Sequence, residues 1–133
     1  MKTLILFYAL LVTAMQAEPR HALVMGVWDY RDPTFPPLTE TGIQVDLTGM
    51  ESKLTSLGFT VTMVKNPSLK QAKDAVDAFG QKISEEPGTA LFYFTGHGSE
   101  YDGKNFLIPA GTAITENSRP RSSRRTVSPS SSV

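Results

Sequence analysis

Cysteine is absent from all 133 residues. Its absence excludes disulfide staples, thiolate nucleophiles and cysteine-ligated metal sites together. Histidine is scarce as well, with only His21 and His97 present. A metal centre needs three or four convergent ligands, and the sequence places His21 ahead of the first strand, at its far end from His97. Neither a metal nor any other cofactor is expected. An excess of charge is lacking too: 13 basic residues balance 13 acidic ones, so no overall field steers the chain toward nucleic acid or an anionic membrane. No apolar run reaches the roughly 20 residues of a membrane-spanning helix.

The longest apolar run, Leu4 to Val12, sits in "MKTLILFYALLVTAMQAEP" behind Lys2 and ahead of the small residues Ala14 and Ala17. That is the grammar of a signal peptide. Residues 1–17 are expected to be one, with cleavage after Ala14 or Ala17 and a secreted or periplasmic product; an uncleaved, buried N-terminal helix is the alternative. Such a location permits disulfides, but without cysteine the domain must be held by packing alone.

The remainder suits one domain. "ALVMGV" from Ala22, "FTVTMV" from Phe59 and "ALFYF" from Ala90 are continuous apolar runs, as strands buried on both faces require. Between the first two, Leu47, Met50, Leu54 and Leu57 are spaced by three and four, which predicts a helix over 46–57 stopped by Gly58. Between the second and third, Ser68 and Gln71 form a capping-box pair. Leu69, Ala72, Val76, Phe79 and Ile83 then make a stripe of helical period that "EEPG" ends. The order βαβαβ predicts an α/β three-layer sandwich around a parallel sheet.

Beyond the third strand, Asp102-Gly103 between Tyr101 and Phe106 predicts a tight hairpin. The domain is expected over 21–111. Of the 22 residues from 112 to 133, seven are serine and four arginine, a composition that buries too little surface to offset ordering entropy and predicts a disordered tail. The arginines suit an acidic partner or, more simply, solvent.

"YFTGHGS" carries the chemistry. In an open parallel sheet ligands gather at the carboxyl ends of strands, and His97 follows the strand expected to be central. Imidazole exchanges protons near neutral pH, and flanking glycines allow close approach of a substrate while leaving the Gly98 amide to stabilise an oxyanion. A general acid/base is one reading of His97; a strand-capping imidazole is another. A phosphate cradle on "TGHGS" lacks the lysine and following helix that such a loop uses.

In their order and spacing, "HALVMGVWDY", "VDLTGMESKLTSLGFTVTMVKNPS", "ALFYFTGHGSEYDG" and "NFLIPAG" resemble the large-subunit region of caspase-like cysteine peptidases, the caspase and metacaspase group. The resemblance covers His21 to Gly111. It implies peptide-bond hydrolysis through a thioester on a peptide or protein substrate, with His97 as the dyad histidine and Gly98 as the oxyanion amide. It also implies a cysteine about 50 residues after the histidine, yet 36 residues follow His97 and none is cysteine. The serines of the tail sit on no predicted strand and have no oriented base beside them, so they are not substitutes.

The expectation is therefore a truncated peptidase domain, inactive as encoded, or alternatively a secreted pseudoenzyme that binds peptides or a partner. In an ungapped match through "TETGIQVD", Glu40 takes the place where true caspases hold a substrate aspartate with arginine. An acidic side chain there favours lysine or arginine before the scissile bond; a solvated loop or first-turn helix residue is the plainer role. The family's sheet continues past "ALFYF", so a missing next strand predicts association through an exposed sheet edge.

Overall fold

A computed structural model describes residues 17–113. The signal-peptide expectation, apart from Ala17, and the tail expectation beyond Ala113 lie outside the described residues.

Strand β1 (Arg20–Gly26) carries six successive buried residues from His21 onward, because both of its faces are covered and both of its edges are paired. β2 (Thr60–Lys65) and β3 (Thr89–Thr95) flank it in parallel, giving the order β2-β1-β3. His21 thus belongs to β1 rather than preceding it, paired with Thr60 and Ala90 at the end of the sheet away from His97. The expectation that β3 is central is corrected: β1 takes the centre, and among the described residues β3 has a neighbour on one side only.

Helix α1 (Glu40–Ser56) crosses one face. Ile43, Leu47 and Leu54 bury against Ala22 and Val24, and each fully buried aliphatic side chain contributes about 1.5–3 kcal/mol. α1 begins six residues before the predicted start, since Ile43 extends the buried stripe by one turn upstream of Leu47. Leu57, predicted to lie in that stripe, instead caps the helix and is half exposed.

Helix α2 (Leu69–Glu85) crosses the opposite face, completing the three layers. Its capping box forms as read: the Gln71 N–H donates to Ser68 Oγ and the Ser68 N–H donates to Gln71 Oε1. Its predicted apolar stripe exists, but no α2 residue is fully buried. α2 leaves a gap over β3 where α1 closes its own face.

After β3 the chain turns into an antiparallel hairpin, β4 (Gly98–Tyr101) and β5 (Lys104–Leu107). Its turn sits on Asp102 and Gly103, both at positive φ, 51° and 71°, the pattern of the tight turn that matches strand twist. Among the described residues no helix is long and apolar enough to cross a membrane.

Candidate active site

The site grows from the first crossing of the sheet's carboxyl end. After β1 the Val27 N–H donates to Thr95 O at 2.9 Å, binding the start of the β1–α1 loop to the end of β3. Asn66, in the left-handed region at φ 45°, presents Oδ1 to the N–H groups of Trp28 and Asp29 at 2.8 and 3.1 Å. Asp32 Oδ1 accepts from the Thr34 N–H at 2.8 Å. Asp32 stabilises a local turn and Asn66 ties the loop to the β2–α2 connection, which together fix a loop that has no ladder of its own. The loop delivers Tyr30, Phe35 and Pro36 to His97.

Tyr30 and Phe35 are buried with Val27 and Ile108 in a second, smaller core. The Tyr30 hydroxyl occupies a place where the hairpin ladder opens. Ile108 N–H donates to His97 O at 3.0 Å, but the return bond is relayed: His97 N–H donates to Tyr30 Oη at 2.8 Å, and Tyr30 O–H donates to Ile108 O at 3.1 Å. Burial pushes the phenol's pKa up, against the lowering pull of the His97 N–H, which keeps the hydroxyl protonated and able to donate.

Gly96 makes this approach possible. A Cβ there would lie 2.7 Å from Tyr30 Oη and 2.8 Å from the Phe94 ring. Gly98 is different, since a Cβ at that position would meet nothing closer than Phe106 O at 3.5 Å. Close packing thus accounts for the first glycine of "GHG" and not for the second.

The imidazole is fixed on three sides. Its ring centroid lies 4.6 Å from that of Tyr30 and 5.8 Å from that of Phe35, and Nε2 is 2.7 Å from Pro36 O. A carbonyl only accepts, so Nε2 carries the hydrogen and Nδ1 carries the lone pair. Nδ1 makes no hydrogen bond among the described residues. The pairing of Gly98 with Leu107 falls between hydrogen-bonded pairs of the hairpin, which turns the Gly98 N–H away from β5. The site therefore combines an oriented imidazole with an open nitrogen and, one residue on, an amide that the ladder does not use.

Glu40 lies apart from these contacts, exposed in the first turn of α1. A carboxylate is favourable there against the unpaired N–H groups of a helix start. Tyr30 is the ionisable side chain in contact with His97, and among the described residues no group of three or more His, Asp or Glu is arranged to hold a metal.

Sequence reasoning found His97 but missed Tyr30, Phe35 and Pro36. The signal was a loop, "VWDYRDPTFPPL", with two buried aromatics and an Asp-Pro turn, too apolar to serve only as a solvated connector.

Residues 19–122 match the family model described as the caspase domain, Peptidase C14. No curated protein matches the chain.

Proposed function

We propose, because this chain belongs to the Peptidase C14 caspase-domain family, that it is a caspase-like endopeptidase domain supplying the acid/base histidine and the oxyanion amide of peptide-bond hydrolysis, but not the nucleophile. The observation that carries the reading is the His97 ring itself. With Nε2–H tied to Pro36 O, Nδ1 is the nitrogen that takes a thiol proton as sulfur attacks the scissile carbonyl. It then returns that proton to the leaving amine as the C–N bond breaks. The Gly98 N–H is the donor for the oxygen that becomes negative at the tetrahedral stage. Water then cleaves the resulting thioester.

The thiol has to come from outside these 133 residues, which contain no cysteine. As encoded, the chain is a half-site without turnover. Glu40, an acidic residue four positions after Pro36, is the candidate for recognising a lysine or arginine before the scissile bond. Export through the N-terminal segment would place this activity outside the cytoplasm.

The test is a screen with lysine-, arginine- and aspartate-terminated reporters, run on the wild type and His97→Ala, alone and with a separately expressed segment carrying the family's cysteine strand. Turnover only in the complemented wild type supports the reading. Turnover by the lone wild type that His97→Ala abolishes would overturn it, because His97 would then serve another nucleophile.

A second reading, a non-catalytic module that binds a peptide or partner, is favoured by one feature: an open apolar groove of about 410 Å³ between α2, β3 and the hairpin. Failed complementation together with saturable peptide binding would select it.

A further inference from the structure

We propose that the outer edge of β3 pairs antiparallel with the same edge of a second copy of this chain, on a two-fold axis at Phe92. This edge is the one that the family's next strand would take, so the dimer belongs to the uncomplemented chain.

Two hydrogen bonds fix which way the backbone of β3 points. Thr89 N–H donates to Pro19 O and Thr95 O accepts from the Val27 N–H, both at 2.9 Å, so Thr89, Leu91, Tyr93 and Thr95 turn their amides and carbonyls toward β1. Strand alternation then turns those of Ala90, Phe92 and Phe94 outward, where no described strand meets them. The outward set is symmetric about Phe92, and Phe92 is the midpoint of the seven-residue strand Thr89–Thr95. A two-fold axis at Phe92 therefore pairs Phe92 with its own copy and Ala90 with Phe94 of the other, each as a hydrogen-bonded pair. Self-complementarity of this kind is what a closed dimer requires.

The strand carries none of the devices that blunt an edge. "TALFYFT" contains no charge and no proline. Its α2-facing side chains, Phe92 and Phe94, line the apolar groove with Leu69, Val76 and Leu107. Phe92, Leu69, Val76 and Leu107 remain 45%, 57%, 48% and 47% exposed. In the paired arrangement both grooves lie on one face of a continuous sheet and meet at Phe92.

Charge selects the second copy as the occupant. Lys73 and Asp77 line the same groove, and neither forms an ion pair among the described residues. Leu23, opposite Phe92, lies between His21, which faces Ala75 to Lys82, and Met25, which faces Leu69 to Val76. Phe92 is thus level with the middle of α2, near the midpoint of Lys73 and Asp77. A two-fold axis there sets Lys73 of each copy level with Asp77 of the other. The 20 residues beyond Ala113 do not match this surface, since they offer "ITENSRPRSSRRTVSPSSSV" to an apolar groove. One strand pair and one groove from each copy make the contact, so the dimer is expected to dissociate on dilution.

The experiment uses the full chain. Sedimentation over a concentration series is expected to show a monomer–dimer equilibrium, with Phe92→Lys raising the dissociation constant at least about tenfold through like charges placed directly opposite. Lys73→Asp is expected to weaken the dimer and the double exchange with Asp77→Lys to restore it. Because the chain has no cysteine, Phe92→Cys is a single-site probe. Opposed residues of a hydrogen-bonded pair have Cα atoms about 5.5 Å apart, within disulfide reach, so mild oxidation should give a covalent dimer.

Thr89→Cys, whose two copies would lie at opposite ends of the paired strands, should give no covalent dimer; circular dichroism checks that each variant is folded. A wild type that is monomeric at every concentration, with no cross-link at position 92, overturns the proposal and leaves the edge to residues 4–12 or to another partner. Equal cross-linking at positions 89 and 92, or a dimer untouched by Phe92→Lys, overturns it as well.

Discussion

Tyr30 grips His97 at two points. Its hydroxyl accepts from the His97 N–H at 2.8 Å while its ring lies against the imidazole at 4.6 Å between centroids. The same hydroxyl donates to Ile108 O. One side chain from the first loop thus sets the backbone on which the imidazole stands and one wall of the space in which it moves.

Tyr30→Phe is expected to destabilise the domain by about 1–3 kcal/mol, because it leaves the partly buried His97 N–H and the buried Ile108 C=O without their bridge. The phenol also gives a signed pH dependence. Its folded pKa is raised above the ordinary value of about 10, so the folded state holds this proton more tightly than the unfolded chain. Its contribution is intact below about pH 10 and is lost as pH rises through the folded value. Urea denaturation of wild type and variant at neutral and alkaline pH checks both points. Equal stability at neutral pH would show that the relay contributes nothing.

The orientation of His97 predicts a tautomer. In the neutral ring the hydrogen is on Nε2, facing Pro36 O, and Nδ1 is unprotonated. Nitrogen-15 NMR of the labelled imidazole should show a protonated-type Nε2 and an unprotonated-type Nδ1. The reverse assignment would remove Nδ1 as the base and with it the proposed order of proton transfer.

The fold was legible from periodicity where burial decides the outcome. β1, β2, β3 and α2 were read from apolar runs and a capping box, and Asp102-Gly103 announced its turn. The start of α1 was hidden because Thr39, Thr41 and Gly42 are weak helix formers, and the burial of Ile43 overrides them. Position within the sheet was not legible: a strand's apolar run looks the same whether its second edge is paired or bare, so β3 read as central. The site was half legible. His97 stands between glycines in the chain, but Tyr30 and Pro36 reach it from more than 60 residues away, on a loop held by Asn66 of the β2–α2 connection.

The two glycines around His97 should respond differently to the same substitution. Gly96→Ala drives a methyl group into Tyr30 Oη and the Phe94 ring, and overpacking of this kind costs about 1–3 kcal/mol. Gly98→Ala meets only Phe106 O at ordinary contact distance and is expected to stay within about 0.5 kcal/mol of wild type. Thermal melts of the two variants side by side decide it. Equal losses would mean that the glycines serve the backbone path of β4 rather than the approach of Tyr30.

Glu86 gives the acid-side counterpart at the other end of the sheet. Its carboxylate takes a hydrogen bond from Lys82, the largest cause holding its pKa down; desolvation, the next largest cause, opposes this, and the charges of Lys82 and His21 add to the lowering. His21 is buried under the end of α2, with Nε2 3.1 Å from Glu86 Oε2 but out of hydrogen-bond alignment. A depressed folded pKa means that the contribution is present above the ordinary carboxylate value of about 4.3 and is lost as pH falls through the folded value. Glu86→Gln should therefore be less stable than wild type at neutral pH, and the two should converge in acid. The effect is small and weakened by salt, because the Glu86 side chain is 47% exposed and solvent screens it. Denaturation curves at pH 7 and pH 3, in low and high salt, test the sign: a difference that persists unchanged at pH 3 would assign the role of Glu86 to packing over His21 rather than to its charge.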